Sequence, residues 1–361
     1  MERKLSMANT VYLLTGAAGF LGSNISRNLI EKGKIVRAFV LPNDPAASQI
    51  PAEAEVILGN LLDMESLEEF FSVESGKDII VIHCASMVTV TDKFTQLLYD
   101  INVTGTQNIL DKCLEHEVKK LVYISSTSVI PELPHGQQIK EVNSFNPKVV
   151  IGGYAKTKAE ATQLVIDTVE KTGLDASIIF PSGIFGPNDY SYGYYTKAII
   201  DLVAEKMPAG IAGSFNVVDV RDLAESIVVC TEKGLKGEGY ILSNDIITFA
   251  DIFASVAKHT GAKHVKVILP QSLARIVTFF AETYGKITKK STLLTSFILY
   301  NLSRNNTFSC EKATKELGYS PRPFEETIRD TIIWLTSEGK INPKNTLVTN
   351  STVPITKESH C

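Results

Sequence analysis

Residues 11–22 read VYLLTGAAGFLG, an apolar run of strand length that breaks into three glycines, Gly16, Gly19 and Gly22, before a helical pattern over 20–32. A strand that turns tightly into a helix needs glycine at the turn, and a further glycine where a phosphate must come close to the backbone. The helix N-terminus then favours the anion. The stretch predicts a dinucleotide-binding βα unit at the start of the chain, with the turn and the first helical residues Phe20 and Leu21 around the pyrophosphate.

Further apolar runs continue the pattern: 35–41, 55–60, 79–86, 120–126 and 176–183. Helical stretches over 63–72 and 95–116 lie between them. Strands interleaved with helices predict βαβ units and a parallel sheet covered on both faces. After residue 186 the pattern loosens, through a Tyr- and Gly-rich loop at 188–195, and returns to a helix over 219–233. The segment 270–300 is unusually apolar. Two closing helices follow, 310–318 and 323–338, the second carrying Ile328, Ile332 and Leu335 on one face. The expected organisation is a dinucleotide-binding unit over 8–186, to which 216–245 returns, a smaller substrate lobe from 187–215 and 246–340, and a mobile tail over 341–361.

Charge and composition exclude some functions. The chain has 361 residues with 36 basic and 40 acidic side chains, a net −4, and this leaves no footprint for nucleic acid. Five scattered cysteines without a CxxC suit reduced thiols in a cytoplasm. The six histidines show no metal-ligand spacing, so no metal is expected. No apolar run reaches transmembrane length, and the N-terminus is a poor signal peptide.

The chemistry concentrates in GGYAKTKAEA, residues 152–161. Tyr154 and Lys158 are four apart and share one helix face. An ammonium beside a phenol helps it lose a proton. YISSTS (123–128) ends a strand in hydroxyl residues, one of which could bond a substrate oxygen. In NVTGTQN (102–108), Asn102 could hold the lysine's surroundings through a water. In GNLLD (59–63), Asn60 either accepts from an adenine amine or caps a turn. The second strand closes on Val40 and Leu41, with neither the acid that would read a ribose nor the cation that would hold a 2′-phosphate. Arg37 is nearby but mid-strand.

In order along the chain, TGAAGFLG, GNLLD, HCAS (83–86), NVTGT, YISS, Tyr154-x-x-x-Lys158, PSGIFGP (181–187), VDVRDLA (218–224) and the closing KATKELGYSPRPFEETIRDTIIWL (312–335) resemble the extended short-chain dehydrogenases/reductases over about residues 10–340. The resemblance implies a Rossmann-type doubly wound sheet with a smaller C-terminal substrate-binding lobe. It implies a triad of Ser126, Tyr154 and Lys158, with Asn102 in support. Tyr154 would be the acid/base, Lys158 its tuner and ribose ligand, and Ser126 the orienter of the substrate oxygen. It also places Leu61, Cys84, Ala85, Ser86, Pro181, Gly183 and Ile184 around an NAD or NADP cofactor, with NAD favoured.

Within the family, sugar-nucleotide enzymes usually carry arginines where this chain has Phe180 and Phe215. An aromatic ring cannot replace a bidentate guanidinium against phosphate. The look is closer to the 3β-hydroxysteroid dehydrogenase and dihydroflavonol reductase branch. That implies an alcohol/ketone oxidoreductase on a hydrophobic multi-ring substrate, with Ser126, Phe180, Tyr190 and Phe215 lining the pocket. A sugar-nucleotide epimerase or dehydratase, and a non-catalytic NAD(P)-sensing protein, are the alternatives. The 270–300 segment is open between pocket, core, homodimer interface and membrane surface.

Overall fold

The structure is a computed structural model that describes residues 9–89, 92–288 and 295–344. The expected tail falls mostly outside them. The chain opens with β1 (Thr10–Thr15), α1 (Phe20–Glu31), β2 (Ile35–Val40), β3 (Glu55–Leu58), α2 (Met64–Phe71) and β4 (Asp78–His83). It continues through α3 (Gln96–Tyr99), a π-helical turn (Asp100–Thr104), α4 (Gly105–Glu115), β5 (Lys120–Ile124), α5 (Gly153–Thr172), β6 (Ala176–Pro181) and β7 (Gly183–Phe185). Then come α6 (Tyr194–Val203), β8 (Gly210–Ile211), β9 (Ser214–Asp219), α7 (Val220–Lys233), β10 (Gly239–Leu242), β11 (Ile246–Thr248) and α8 (Phe249–Thr260). The described chain closes with β12 (Ile268–Leu269), α9 (Gln271–Thr288), α10 (Ser296–Ser303), α11 (Glu311–Leu317) and α12 (Phe324–Ser337).

Seven strands form one parallel sheet in the order β10-β6-β5-β4-β1-β2-β3. β1 is buried at all six positions, as a central parallel strand must be. One face is covered by α2, α4 and α5, through residues such as Phe70, Ile109 and Val165. The other is covered by α1, α7 and α11, through Ile25, Leu223 and Ala313. Each such side chain removed from water contributes about 1.5–3 kcal/mol. The chain turns back on itself at β1 and β4, so their C-terminal ends open the crevice where α/β proteins hold ligands.

The later elements build a second core around Phe185, Ile199, Val217, Phe253 and the α12 face Ile328, Ile332 and Leu335. A carboxylate–guanidinium network fastens α12 and the segment before it to α7. Asp222 accepts from the Arg322 backbone N–H (2.7 Å), Nε (2.9 Å) and Nη2 (2.7 Å). Arg221 bridges Asp219 and Asp330. Cys84, Cys113 and Cys230 are free thiols.

Candidate active site

The glycine turn has no room for side chains. Gly16 sits at φ +68°, and a Cβ there would lie 2.8 Å from Cα of Ala85. A Cβ on Gly22 would lie 2.0 Å from the Gly16 carbonyl oxygen, and Gly19 N–H donates to that oxygen at 3.0 Å. The N-cap of α1 is Gly19, which offers no side-chain cap, so the first-turn N–H groups are left for an anion. Phe20 and Leu21 form this turn, Leu21 anchoring it in the core. Across the crevice the Ser182 hydroxyl, between Pro181 and Gly183, is buried without a partner. A turn closed to a Cβ at Gly16 and Gly22, uncapped amides and an orphaned hydroxyl together fit a bound dinucleotide.

A chain of hydrogen bonds ties the turn to the rest of the crevice. Thr15 Oγ1 accepts from the Cys84 and Ala85 N–H groups, both at 3.1 Å. Its own proton must then go to His83 Nδ1, 2.7 Å away. That leaves Nε2 of His83 to donate to Thr106 Oγ1 at 3.2 Å, and Thr106 donates to the Asn102 carbonyl at 2.7 Å. Burial, helped by the charge of Lys158, pushes His83 down to about 3, so the ring stays neutral. Sequence reading passed over His83 and Thr15; the only signal was a histidine closing an apolar strand.

Asn102 lies in the π-helical turn, a distortion frequent at functional sites. Its Oδ1 accepts from Ser86 Oγ (3.0 Å) and Met87 N–H (2.8 Å). Its Nδ2 donates to the Met87 carbonyl (3.0 Å) and to Thr157 Oγ1 (3.1 Å). Asn102 therefore locks the loop after β4 to α5 directly.

The two glycines before Tyr154 let α5 start in a confined place. Gly152 has φ +97° and a Cβ there would strike the Phe297 ring at 2.4 Å; one on Gly153 would meet the Lys93 carbonyl oxygen at 2.6 Å. One turn into α5, the Lys158 ammonium is buried with no carboxylate at hand. It donates to the Ile124 carbonyl at 2.6 Å and lies 4.2 Å from the centre of the Tyr123 ring. Burial pulls it down to about 7. Tyr154 is half-buried, and desolvation pushes its hydroxyl up to about 12, offset in part by the hydroxyls of Ser126 and Ser86 beside it. Ser126 Oγ accepts from Ser128 N–H (3.2 Å) and Ser128 Oγ (3.0 Å), which fixes it at the end of β5.

Other expected residues fall differently. Asn60 Oδ1 accepts from Leu62 N–H at 3.0 Å, so it caps a turn. Leu61 is a core residue whose carbonyl receives Asn108. Ala85 walls the glycine turn, and burial holds the Cys84 thiol protonated, up at about 12. Gly183 and Ile184 lie in β7, where a Cβ on Gly183 would meet the Tyr195 hydroxyl at 3.0 Å.

Phe180 does not line a pocket. It is fully buried under the sheet against Phe145, with ring centres 5.4 Å apart. Phe215 belongs to an aromatic stack with Tyr195 (5.6 Å) and Phe249 (6.1 Å). Tyr190 packs on Trp334 and under Arg27, in a separate cleft of about 390 Å³ with Asp44, Gln49 and Glu338. Arg37 is committed to Glu55 and to the carbonyls of Phe70 and Ser72, so it is not free for a 2′-phosphate. At the surface, Glu68, Glu115 and His116 converge, but Lys112 already bonds both carboxylates.

A parallel sheet in this order, with a glycine cradle at its switch point, defines a Rossmann-type dinucleotide-binding protein. Residues 12–243 match the NAD dependent epimerase/dehydratase family, and the chain belongs to it, within the extended short-chain dehydrogenases/reductases. Its cofactor is accordingly NAD or NADP. The chain is 26% identical over 333 residues to sterol demethylase protein B of Methylococcus capsulatus, covering 91% of this chain and 99% of that protein. It is 28% identical over 347 residues to the decarboxylating sterol-4-alpha-carboxylate 3-dehydrogenase of Saccharomyces cerevisiae, covering 90% and 97%. Among solved structures it resembles gox2253, with 30% identity and a TM-score of 0.79 over 92% of this chain and 100% of that one. It also shares the fold of the Thermus thermophilus UDP-glucose 4-epimerase in complex with NAD, at 20% identity and TM-score 0.71 over 91% and 99%.

Proposed function

We propose that the protein interconverts a secondary alcohol and a ketone on a hydrophobic, multi-ring substrate of the sterol type. The observation that carries the reading is the meeting of Tyr154, Ser126 and Ser86 hydroxyls at the crevice, one helical turn from a buried Lys158. NAD, when bound, supplies the hydride acceptor at the carbinol carbon. In the oxidative direction Ser126 would hold the substrate oxygen and Tyr154, ionised first beside the Lys158 ammonium, would take its proton while the carbinol carbon gives up a hydride, so alcohol becomes ketone with one hydride and one proton removed. In the reductive direction the Tyr154 hydroxyl, protonated at neutral pH, donates the same proton. Lys158 holds charge beside the reacting groups and is placed to bind the cofactor ribose.

The names of the sterol-acting relatives support the substrate class. Phe215, stacked with Tyr195 and Phe249, offers no cation for a diphosphate, which supports it against a sugar nucleotide.

The test is a turnover screen by cofactor fluorescence, with 3β-hydroxysteroids, 4-carboxysterols, flavonoid-like ketones and UDP- or dTDP-sugars, run with NAD and NADP. Interconversion of sugar nucleotides with no cofactor reduction by any hydrophobic alcohol would overturn the proposal.

A further inference from the structure

Lys158 is a cation without an acid. It is 2% exposed, and among the described residues no carboxylate pairs with it. The titratable groups around it are His83 and Cys84 at the end of β4, Tyr123 on β5 and Tyr154 one turn earlier on α5. Burial keeps the first two uncharged, the imidazole deprotonated and the thiol protonated. An ammonium taken out of water with no counter-charge tends to shed its proton. Two contacts oppose that here. The Ile124 carbonyl accepts one N–H at 2.6 Å, and the ring of Tyr123 has its centre 4.2 Å from the ammonium nitrogen. Tyr123 is fully buried, and His83, its register partner on β4, lies with its ring centre 5.7 Å away. The Tyr123 hydroxyl has no hydrogen-bond partner. Thr106 and Thr162 beside it give their protons to the Asn102 and Lys158 carbonyls. An unpartnered buried hydroxyl costs stability, so what the site uses of Tyr123 is the ring.

We propose that Tyr123 is a positioning residue for Lys158, its ring face serving as the counter-charge that keeps the ammonium in place and protonated without neutralising it. A ring quadrupole attracts a cation yet carries no net charge. A carboxylate in the same place would attract it more strongly, but would cancel its field at Tyr154 and take the N–H groups that a cofactor ribose needs. With Ile124 accepting one of the three N–H groups, two remain for the cofactor side. The purpose of the arrangement rests on the reaction proposed above; the contact itself does not.

The test is stability of the full chain against pH, which needs no substrate and so separates this contact from the reaction assignment. Each protein is compared with the same protein also carrying Lys158→Met, so that only the titration of Lys158 remains and any cavity at position 123 cancels. In the wild type the difference rises with pH from a foot at the folded value of about 7 towards 10.5. Tyr123→Leu removes the π face, so the folded lysine should bind its proton about tenfold less tightly and the foot should move down by about one pH unit. Tyr123→Phe keeps the ring and should leave the foot in place. If the leucine variant misfolds, Tyr123→Phe with a trifluorinated ring keeps the shape and withdraws the π charge, and the foot should move in the same direction. A foot unmoved by loss of the π face overturns the proposal. So does a shift as large in Tyr123→Phe, which would assign the effect to the hydroxyl.

Discussion

At the scale of single residues, the site sets a buried cation against a half-buried phenol, and desolvation acts on both. Tyr154→Phe keeps the ring and removes the transferable proton. Turnover should fall by about 10²-fold or more, with NADH binding retained; near-normal turnover would remove Tyr154 from the reaction. Lys158 makes a separate prediction about stability. Its folded value of about 7 lies below the ordinary 10.5, so between these values the unfolded chain binds more protons than the folded one. Stability should therefore rise as pH climbs from about 7 towards 10.5, and this contribution is lost as pH falls through the window. Lys158→Met should abolish that slope, raise the melting temperature at pH 7 and lower turnover by about 10²-fold. Thermal melts of both proteins across the range read it directly, and parallel pH dependences would show that another group is responsible.

Among the elements, the first six strands and the helices between them were legible because each side chain pattern is decided locally. β1, β2, β4, β5 and β6 are apolar runs of buried parallel strands, and Ile328, Ile332 and Leu335 of α12 are all fully buried on one face, as their spacing requires. The two- and three-residue strands β7, β8, β11 and β12 are too short to carry a period, and they exist only through their partners. Phe180 illustrates a second limit. A residue aligned with a functional slot carries no information about which side of the strand it faces, and here that side is the core. α9 illustrates a third: its segment reads only as unusually apolar, which marks neither the helix nor the stripe that meets the protein. The end of β2 carries a prediction of its own. Leu41 is exposed, and Arg37 is committed to Glu55, so no cation on that strand is free for a 2′-phosphate. Leu41→Arg should improve NADP affinity relative to NAD by about tenfold, measured by titration of cofactor fluorescence. An unchanged ratio would mean that selection lies elsewhere in the crevice.

For the whole molecule, a charge network helps to join the two cores. Asp222 is the acceptor for three Arg322 N–H groups, and Arg322 is part-buried. Asp222→Ala would strand that guanidinium, and should cost roughly 2 kcal/mol, seen as a lower urea midpoint at unchanged slope. A shift of the slope instead would mean that the C-terminal elements melt separately.

The wall of the glycine turn has a consequence for how the protein is made. Residues 16–22 leave the ribosome before the surface that completes them, which arrives with Ala85, and Thr15 finds its two amide donors only at Cys84 and Ala85. β1 sits mid-sheet, and its β4 neighbour is synthesised more than sixty residues after it. At about 5–20 residues per second, the nascent chain spends several seconds with its most conformationally demanding turn built but unbacked. The nucleotide can therefore act as a folding ligand only after the strand that closes its cradle has emerged.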